Sequence, residues 1–379
     1  MGESSGYGAR RLVVGVDGRE LQGRPTGTGR YLRNLLRHWR GSGDRLLVYV
    51  SGRPPRDDVL DHPAVVLRTV GDGRARGLEW QEWLLPPAAR ADRLDVFFSP
   101  AYGCPLRLDV PRVTAVHDLS FFSHPHDFAF LDGLRRRTLV ALAVRASRAI
   151  LACSEFTRRE IRARFPAAGD RVVHVPLGPD DDLPPAPGRA EARRRLGLEG
   201  PSVLTVGAIL NRRCLPELLR ATARLARFHR GLVLDVVGEN RTHPRLDLPA
   251  LAASLGLEGR VRLSGFVDET GLADRYAAAD VAVFLSEYEG FGLPALEAAA
   301  RDVPLVVSRQ PSLGEIFAEA ALLVPPRDEH AVAHALDRVL REPGLRGRLI
   351  AAGRVLAARH SWARTAALTH AALERAARE

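Results

Sequence analysis

The sequence contains no lysine; all 55 of its basic residues are arginine. That excludes a phosphate-binding P-loop, whose glycine-rich turn is completed by a lysine. So uniform a replacement follows genome composition, and arginine content alone carries no nucleic-acid reading. The arginines are also dispersed, with no tract that combines them with aromatics. Cysteine is scarce: Cys104, Cys153 and Cys214 are scattered, odd in number and without metal-ligand spacing. Such usage fits a cytoplasmic chain with reduced thiols. No apolar run approaches the ~20 residues of a membrane span, and the opening MGESSGYGARR has no signal-peptide core.

What is present is a globular chain of 379 residues, 46% hydrophobic and 26% charged, a length that suits two domains. Its formal charge of +10 favours an anionic partner, either a substrate or the inner face of a membrane. Strand-like runs lie at 11–17, 46–50, 65–70, 94–100, 112–121, 149–154 and 171–178. Helical segments at 30–40, 77–89, 134–148 and 154–165 fall between them, the last capped by Ser154. The proline- and acid-rich stretch GPDDDLPPAPGRA (178–190) is the best linker, which makes Asp180, Asp181 and Asp182 solvated residues and not a metal site. Strands then resume at 202–209, 232–238, 261–267, 281–285, 303–308 and 321–326, alternating with helices at 215–228, 248–257, 271–279 and 312–319. An alanine-rich helix at 360–376 closes the chain. Strands alternating with helices imply an α/β fold of two doubly wound parallel sheets, with the cleft between two such domains as the default ligand site.

Four stretches carry chemistry. In SEYEGFGLPALEAAAR (286–301), Gly290 and Gly292 allow close backbone approach and Pro294 suits a first helical turn. A strand running through a glycine loop into a helix offers N–H groups to an anion. Glu289 on the loop and Glu297, expected in the first helical turn, can each accept from sugar hydroxyls. Thr26-Gly27-Thr28-Gly29 reads as a second glycine-rich loop ahead of a helix, flanked by Arg24 and Arg30. That helix sets Leu32, Leu35, Leu36 and Trp39 among arginines, a pattern of core-facing helices that also suits anionic lipid. His117 and Asp118 end a buried strand, where open α/β sheets place their ligands. Arg212 and Arg213 follow another, and paired guanidiniums match a diphosphate leaving group. HPHD (124–127) has no companion ligands and reads as a surface loop.

Taken together, these stretches resemble the retaining family-4, or group 1, glycosyltransferases, which have the GT-B architecture of two Rossmann-like domains. The match spans nearly the whole chain through 286–300, PTGTGRY (25–31), HDL (117–119) and 207–219. The resemblance implies an acceptor-side domain over 1–183, a nucleotide-sugar-binding domain over 184–356, and a terminal helix, 357–379, packing back on the first. It implies transfer of a hexose or deoxyhexose from an NDP- or GDP-type sugar to a glycan, lipid-linked or natural-product acceptor, without cofactor or metal. The wording of the first half leans toward mannosyl or deoxysugar transfer. Arg212 and Arg213 would take the diphosphate and Glu297 the ribose. Glu289, with the backbone of Phe291, Gly292 and Leu293, would hold the sugar. His117 would assist; Gly27, Thr28 and Gly29 would close over the phosphates; and Gly238, Gly265 and Val267 would meet the base. Arg213 stands where the family has lysine, Cys214 where it has asparagine, and Asp302 where a GxP element has glycine. Glu315 is expected to open the helix after the motif. A sugar-nucleotide epimerase and a non-catalytic nucleotide-sugar or glycan binder are the competing readings.

Overall fold

The computed structural model describes residues 11–23, 26–41, 43–75, 77–180, 184–185 and 187–378. The opening ten residues, Arg24 and Pro25 ahead of Thr26–Gly29, and Asp181 and Asp182 of the linker lie outside the described residues. The chain forms two compact units, Met1–His117 with Arg135–Leu177 and Trp362–Glu379, and Asp118–Leu134 with Gly178–Ser361. The first is thus built from three stretches of chain where the sequence suggested one continuous domain and a terminal helix, and Asp118–Leu134 is grouped with the second.

The first unit carries a seven-stranded sheet: β1 (Val13–Asp17), β2 (Arg45–Ser51), β3 (Val65–Val70), β4 (Val96–Ser99), β5 (Arg112–Val116), β6 (Ala149–Ala152) and β7 (Val172–His174). Their spatial order is β3-β2-β1-β4-β5-β6-β7, all parallel. Strands such as β4 and β6 are buried at every position, which is why they read as continuous apolar runs and not as alternation. The second unit has a six-stranded parallel sheet of β8 (Ser202–Val206), β9 (Val233–Val237), β10 (Val261–Ser264), β11 (Val281–Phe284), β12 (Leu305–Ser308) and β13 (Ala321–Val324), in order β10-β9-β8-β11-β12-β13. All thirteen strands coincide with the expected runs. Both orders reverse beside the first strand, the place where doubly wound sheets bind ligands.

Helix boundaries moved more. The helix expected at 30–40 is Gly27–Arg37, because Thr26 caps it: Gly29 N–H donates to Thr26 Oγ1 at 2.9 Å. Gly27, Thr28 and Gly29 are therefore its first turn and not a loop. Leu32, Leu35, Leu36 and Trp39 are buried as the core-facing reading requires, while Arg33 and Arg37 pair with Asp57 and Asp58. The segment at 77–89 holds a π-helical turn, Trp80–Leu84, that leads into Leu85–Ala91. Helices Glu329–Arg341 and Pro343–Ala358 escaped the sequence reading, although Asp328 caps the former through His330 N–H and Ala331 N–H.

The terminal helix Trp362–Arg378 belongs to the first unit. Trp362 is buried against Tyr31, and Thr365 Oγ1 donates to Pro176 O at 2.7 Å. His370 Nε2 lies 3.0 Å from Asp44, a buried carboxylate that also accepts from Leu12 N–H and Trp39 Nε1–H. A buried charge with three partners fixes that helix against the start of the sheet.

Candidate functional site

In the second unit the loop ends of β8, β9 and β11 converge, and glycines make that possible. Gly207, directly after β8, has φ +125°, and Gly238, directly after β9, has φ +150°. A Cβ on Gly238 would sit 2.0 Å from Gly207 O, so the two backbones touch where side chains cannot fit. Gly292 ends the loop after β11 at φ +94°, and a Cβ there would meet Leu313 at 2.5 Å. The helix Leu293–Ala300 begins immediately beyond it.

Around this backbone the charged residues are already paired. Arg213 Nε lies 2.7 Å from Glu289 Oε1, and its guanidinium stacks over the Phe284 ring at 4.2 Å. The Nε–H does not point along the Nε···Oε1 line, so this is a charge contact more than a linear hydrogen bond. Burial lowers the Arg213 pKa, with Glu289 opposing and Arg212 adding to the shift. Glu289 is itself held by Ser286 Oγ–H on its carboxylate at 3.1 Å and by Ser312 Oγ–H on its carbonyl at 2.7 Å. Arg212, 8% exposed, faces Asp127 at 3.5 Å, and its carbonyl accepts from Glu287 N–H. HPHD thus contributes a partner for Arg212, a role its composition did not signal. Tyr288, inside the 286–301 stretch, accepts from Leu119 N–H at 3.0 Å and packs against His124.

Two residues of the second unit take unusual backbones. Cys214 sits at φ 49° between the turn Asn211–Arg213 and the helix Leu215–Leu225, a conformation asparagine adopts more readily. Burial, with Glu287 and Glu217 nearby, pushes its thiol up to about 12. Asp302 takes φ 60°, the left-handed geometry glycine would supply, and is held by two contacts from Arg354 at 2.6 and 2.7 Å.

The carboxylate at 297 is placed differently from expectation. Because the helix opens at Leu293, Glu297 falls in its second turn; it is 1% exposed and accepts from Tyr276 Oη at 3.1 Å. Glu315 likewise is the fifth residue of Pro311–Phe317 and exposed, since Gln310 caps that helix. Phe291 is buried edge-on to His360, Leu293 is half-buried, and Val267 is half-buried beyond β10.

The first unit holds the other expected residues. His117 follows β5, and its Nε2 lies 2.8 Å from Pro100 O. A carbonyl only accepts, so Nε2 carries a proton. Tyr31 and Tyr102 pack edge-on to the ring, and Cys153 donates to the His117 carbonyl. Gly29 is buried, and a Cβ on it would meet Glu20 O at 2.6 Å; Gly27 is open. Among the described residues no group of three or more His, Cys, Asp or Glu could hold a metal ion.

Comparison with known proteins places this geometry. Residues 189–356 match the family described as glycosyl transferases group 1, and residues 25–183 the one described as glycosyltransferase family 4. The chain is 30% identical over 276 residues to O-antigen chain mannosyltransferase B of Escherichia coli, covering 70% of this chain and 71% of that protein. It is 34% identical over 257 residues to D-inositol 3-phosphate glycosyltransferase of Kineococcus radiotolerans, covering 62% of this chain and 59% of that protein. HepE of Anabaena, solved in complex with UDP and glucose, has a TM-score of 0.73 at 18% identity, with 96% of this chain and 99% of that chain covered. At that identity the likeness is one of fold.

The backbone contact between Gly207 and Gly238 gives a direct check. Gly238→Ala is expected to cost about 1–3 kcal/mol, as overpacking does, whereas Gly265→Ala, with nothing within 4 Å, is expected to be near neutral. Comparing the thermal midpoints of the two variants tests whether the loop ends meet as described.

Proposed function

We propose, from the premise that this chain belongs to the group 1 glycosyltransferases of GT-B fold, that it moves a hexosyl or deoxyhexosyl group from a nucleoside diphosphate sugar to an acceptor hydroxyl with retained configuration. The observation that carries this reading is the mostly buried pair Arg212 and Arg213 beside Gly207, at the carboxyl end of β8. The bond between the anomeric carbon and the diphosphate oxygen breaks, and negative charge accumulates on the leaving diphosphate. Two guanidiniums fixed by Asp127 and Glu289 meet that charge without having to reorganise. The acceptor oxygen bonds to the anomeric carbon on the same face, and its proton passes to a leaving phosphate oxygen, so no protein base is consumed.

Glu289 and the backbone of Phe291, Gly292 and Leu293 are assigned the donor sugar, and His117 a donor-sugar hydroxyl through Nδ1. Glu297 is assigned the ribose, with Tyr276 holding one of its oxygens. Gly238 and Val267 are assigned the base, and the first turn at Gly27, Thr28 and Gly29 the phosphates. Transfer is proposed to need no metal, because arginines supply the positive charge a cation would otherwise bring. The acceptor is proposed to be a glycan, a lipid-linked glycan or a natural product.

Arg212→Ala is expected to lower turnover at least tenfold and, by leaving Asp127 without this cation, to lower the thermal midpoint by several degrees without unfolding the chain, and a chelator is expected to leave wild-type turnover unchanged. Assay of nucleotide-sugar consumption checks both; wild-type rates in the variant contradict the assignment of Arg212, and loss of activity in the chelator contradicts metal independence.

Peripheral contact with the inner face of a membrane is part of the same proposal. No described helix is long and apolar enough to cross a bilayer. Trp83 is 58% exposed beside exposed Leu84 and Leu106, and the Arg107 guanidinium stacks 3.5 Å over its ring. An aromatic with a guanidinium over it suits the interface of an anionic bilayer. Co-sedimentation with anionic vesicles is expected to fall several-fold in Trp83→Ser; equal sedimentation of the two chains, or none by wild type, contradicts it.

A further inference from the structure

Gly238 and Val267, the residues assigned the nucleobase, have no side chain that can hydrogen-bond to a base edge. Their backbones must therefore be held in place, and the strand that leads to Val267 is poorly suited to do so alone. β10 is the edge of its sheet, and none of its four residues is fully buried. An edge strand is tied to its sheet on one side only. Its last residue, Ser264, nonetheless carries two connections. The Ser264 carbonyl accepts from Gly238 N–H at 2.9 Å, and its hydroxyl accepts from Arg275 Nη2 at 3.1 Å.

Arg275 lies on the helix Glu269–Ala278, and its guanidinium makes two further contacts. Nη1 donates to Gly271 O at 2.9 Å, and Nε lies 3.1 Å from Asp235 Oδ2. Asp235 sits in the middle of β9, 3% exposed and opposite Arg262 of β10. Burial pushes its pKa up; the charge of Arg275 opposes the rise most, followed by Arg262 and by hydrogen bonds from Arg275 and Ser264. One guanidinium thus spans β9, the end of β10 and the first turn of the helix. Gly271 makes the room: a Cβ there would lie 3.3 Å from Arg275 Nη1 and 3.7 Å from Val267 Cβ. Asp268 ties the other end of the loop, accepting from Gly271 N–H at 2.7 Å. Between these ties the loop is open, with Phe266 exposed and nothing within 4 Å of a Cβ built on Gly265. Tyr276, next to Arg275 on the helix, bonds Glu297, the residue assigned the ribose.

We propose that Arg275 is a positioning residue for base selectivity: by joining Asp235, Ser264 and Gly271, it fixes the two backbone stretches that meet the nucleobase. The proposal rests on the nucleotide-sugar reading and on its assignment of Gly238 and Val267. A base presents donors and acceptors at fixed spacing, and hydrogen bonds weaken steeply when misaligned. Backbone groups cannot follow a base by changing rotamer, so their discrimination depends on how firmly the shell behind them is held. Arginine suits that task because its planar fork reaches several acceptors at once, whereas the single ammonium of a lysine does not reproduce the fork. Ser264 is the point where the fork acts, since its hydroxyl is held by Arg275 while its carbonyl holds Gly238.

Calorimetric titration of UDP, CDP, GDP and ADP into the wild-type chain, Arg275→Lys and Ser264→Ala tests this, with a thermal melt of each chain as the control for folding. The monophosphate of the preferred base is titrated alongside. The wild type is expected to favour one base at least tenfold. That preference is expected to fall about threefold or more in both variants, while the gap between the preferred diphosphate and its monophosphate stays as in the wild type. A general loosening of the unit would weaken all four diphosphates alike or narrow both ratios together, and either result overturns the proposal. So does an unchanged base preference in the folded variants. Ser264→Ala, which removes one hydroxyl and no charge, carries the test should Arg275→Lys melt early. Equal binding of the four diphosphates by the wild type overturns the role of Arg275 and leaves the diphosphate site standing. Binding of none of them removes the nucleotide-sugar reading, and the proposal with it.

Discussion

The contact between Arg213 and Glu289 is the interaction on which the second unit's site depends. It joins the turn after β8 to the loop after β11, and both residues are further fixed, Arg213 by Phe284 and Glu289 by Ser286 and Ser312. Opposite charges at 2.7 Å in a mostly dry pocket stabilise each other only while both are present. Losing one strands the other, at a cost of about 3–5 kcal/mol. The pair therefore holds a cation and a carboxylate in one rigid arrangement.

The absence of lysine gives this arrangement its particular form. An ammonium is a compact point charge on a flexible stem, whereas a guanidinium is planar, stacks on aromatics and binds in a fork. Arg213 uses that plane against Phe284, which a lysine could not do in the same way. Two residues of the second unit, Cys214 and Asp302, do without the glycine that their left-handed geometry favours. Each accepts a left-handed backbone, and Asp302 is offset by its paired contacts to Arg354. Gly207, Gly238 and Gly292 are costly to replace, because their Cβ positions are already occupied or their φ values are unfavourable to side chains.

Much of this was legible in the sequence, for identifiable reasons. All thirteen strands were readable because buried parallel strands are short, unbroken apolar runs. Arg212 and Arg213 fall in the turn after β8 and Glu289 in the loop after β11, positions that the apolar runs ahead of them marked. Boundaries failed where a single capping residue decides them. Thr26 starts its helix at Gly27, and Gly292 starts another at Leu293, which moved Glu297 out of the first turn and into the interior. The helices at 329–341 and 343–358 were passed over although Asp328 and Pro343 mark their starts. Asp127 and Tyr276 could not be found from sequence, because their partners, Arg212 and Glu297, are 85 and 21 residues away. Long-range pairing of that kind leaves no local pattern.

The central claim is that Arg212 and Arg213 receive a diphosphate. Calorimetric titration of UDP, UMP, GDP and GMP into the wild-type chain and into Arg212→Gln and Arg213→Gln tests it most directly, with a thermal melt of each variant as the control for folding. Charged hydrogen bonds contribute about 1.5–3 kcal/mol each. The expected result is therefore that the diphosphate of the preferred base binds at least tenfold tighter than its monophosphate, and that the gap shrinks in both folded variants. Equal affinity for mono- and diphosphate in the wild type, or a gap untouched by either substitution, would contradict it.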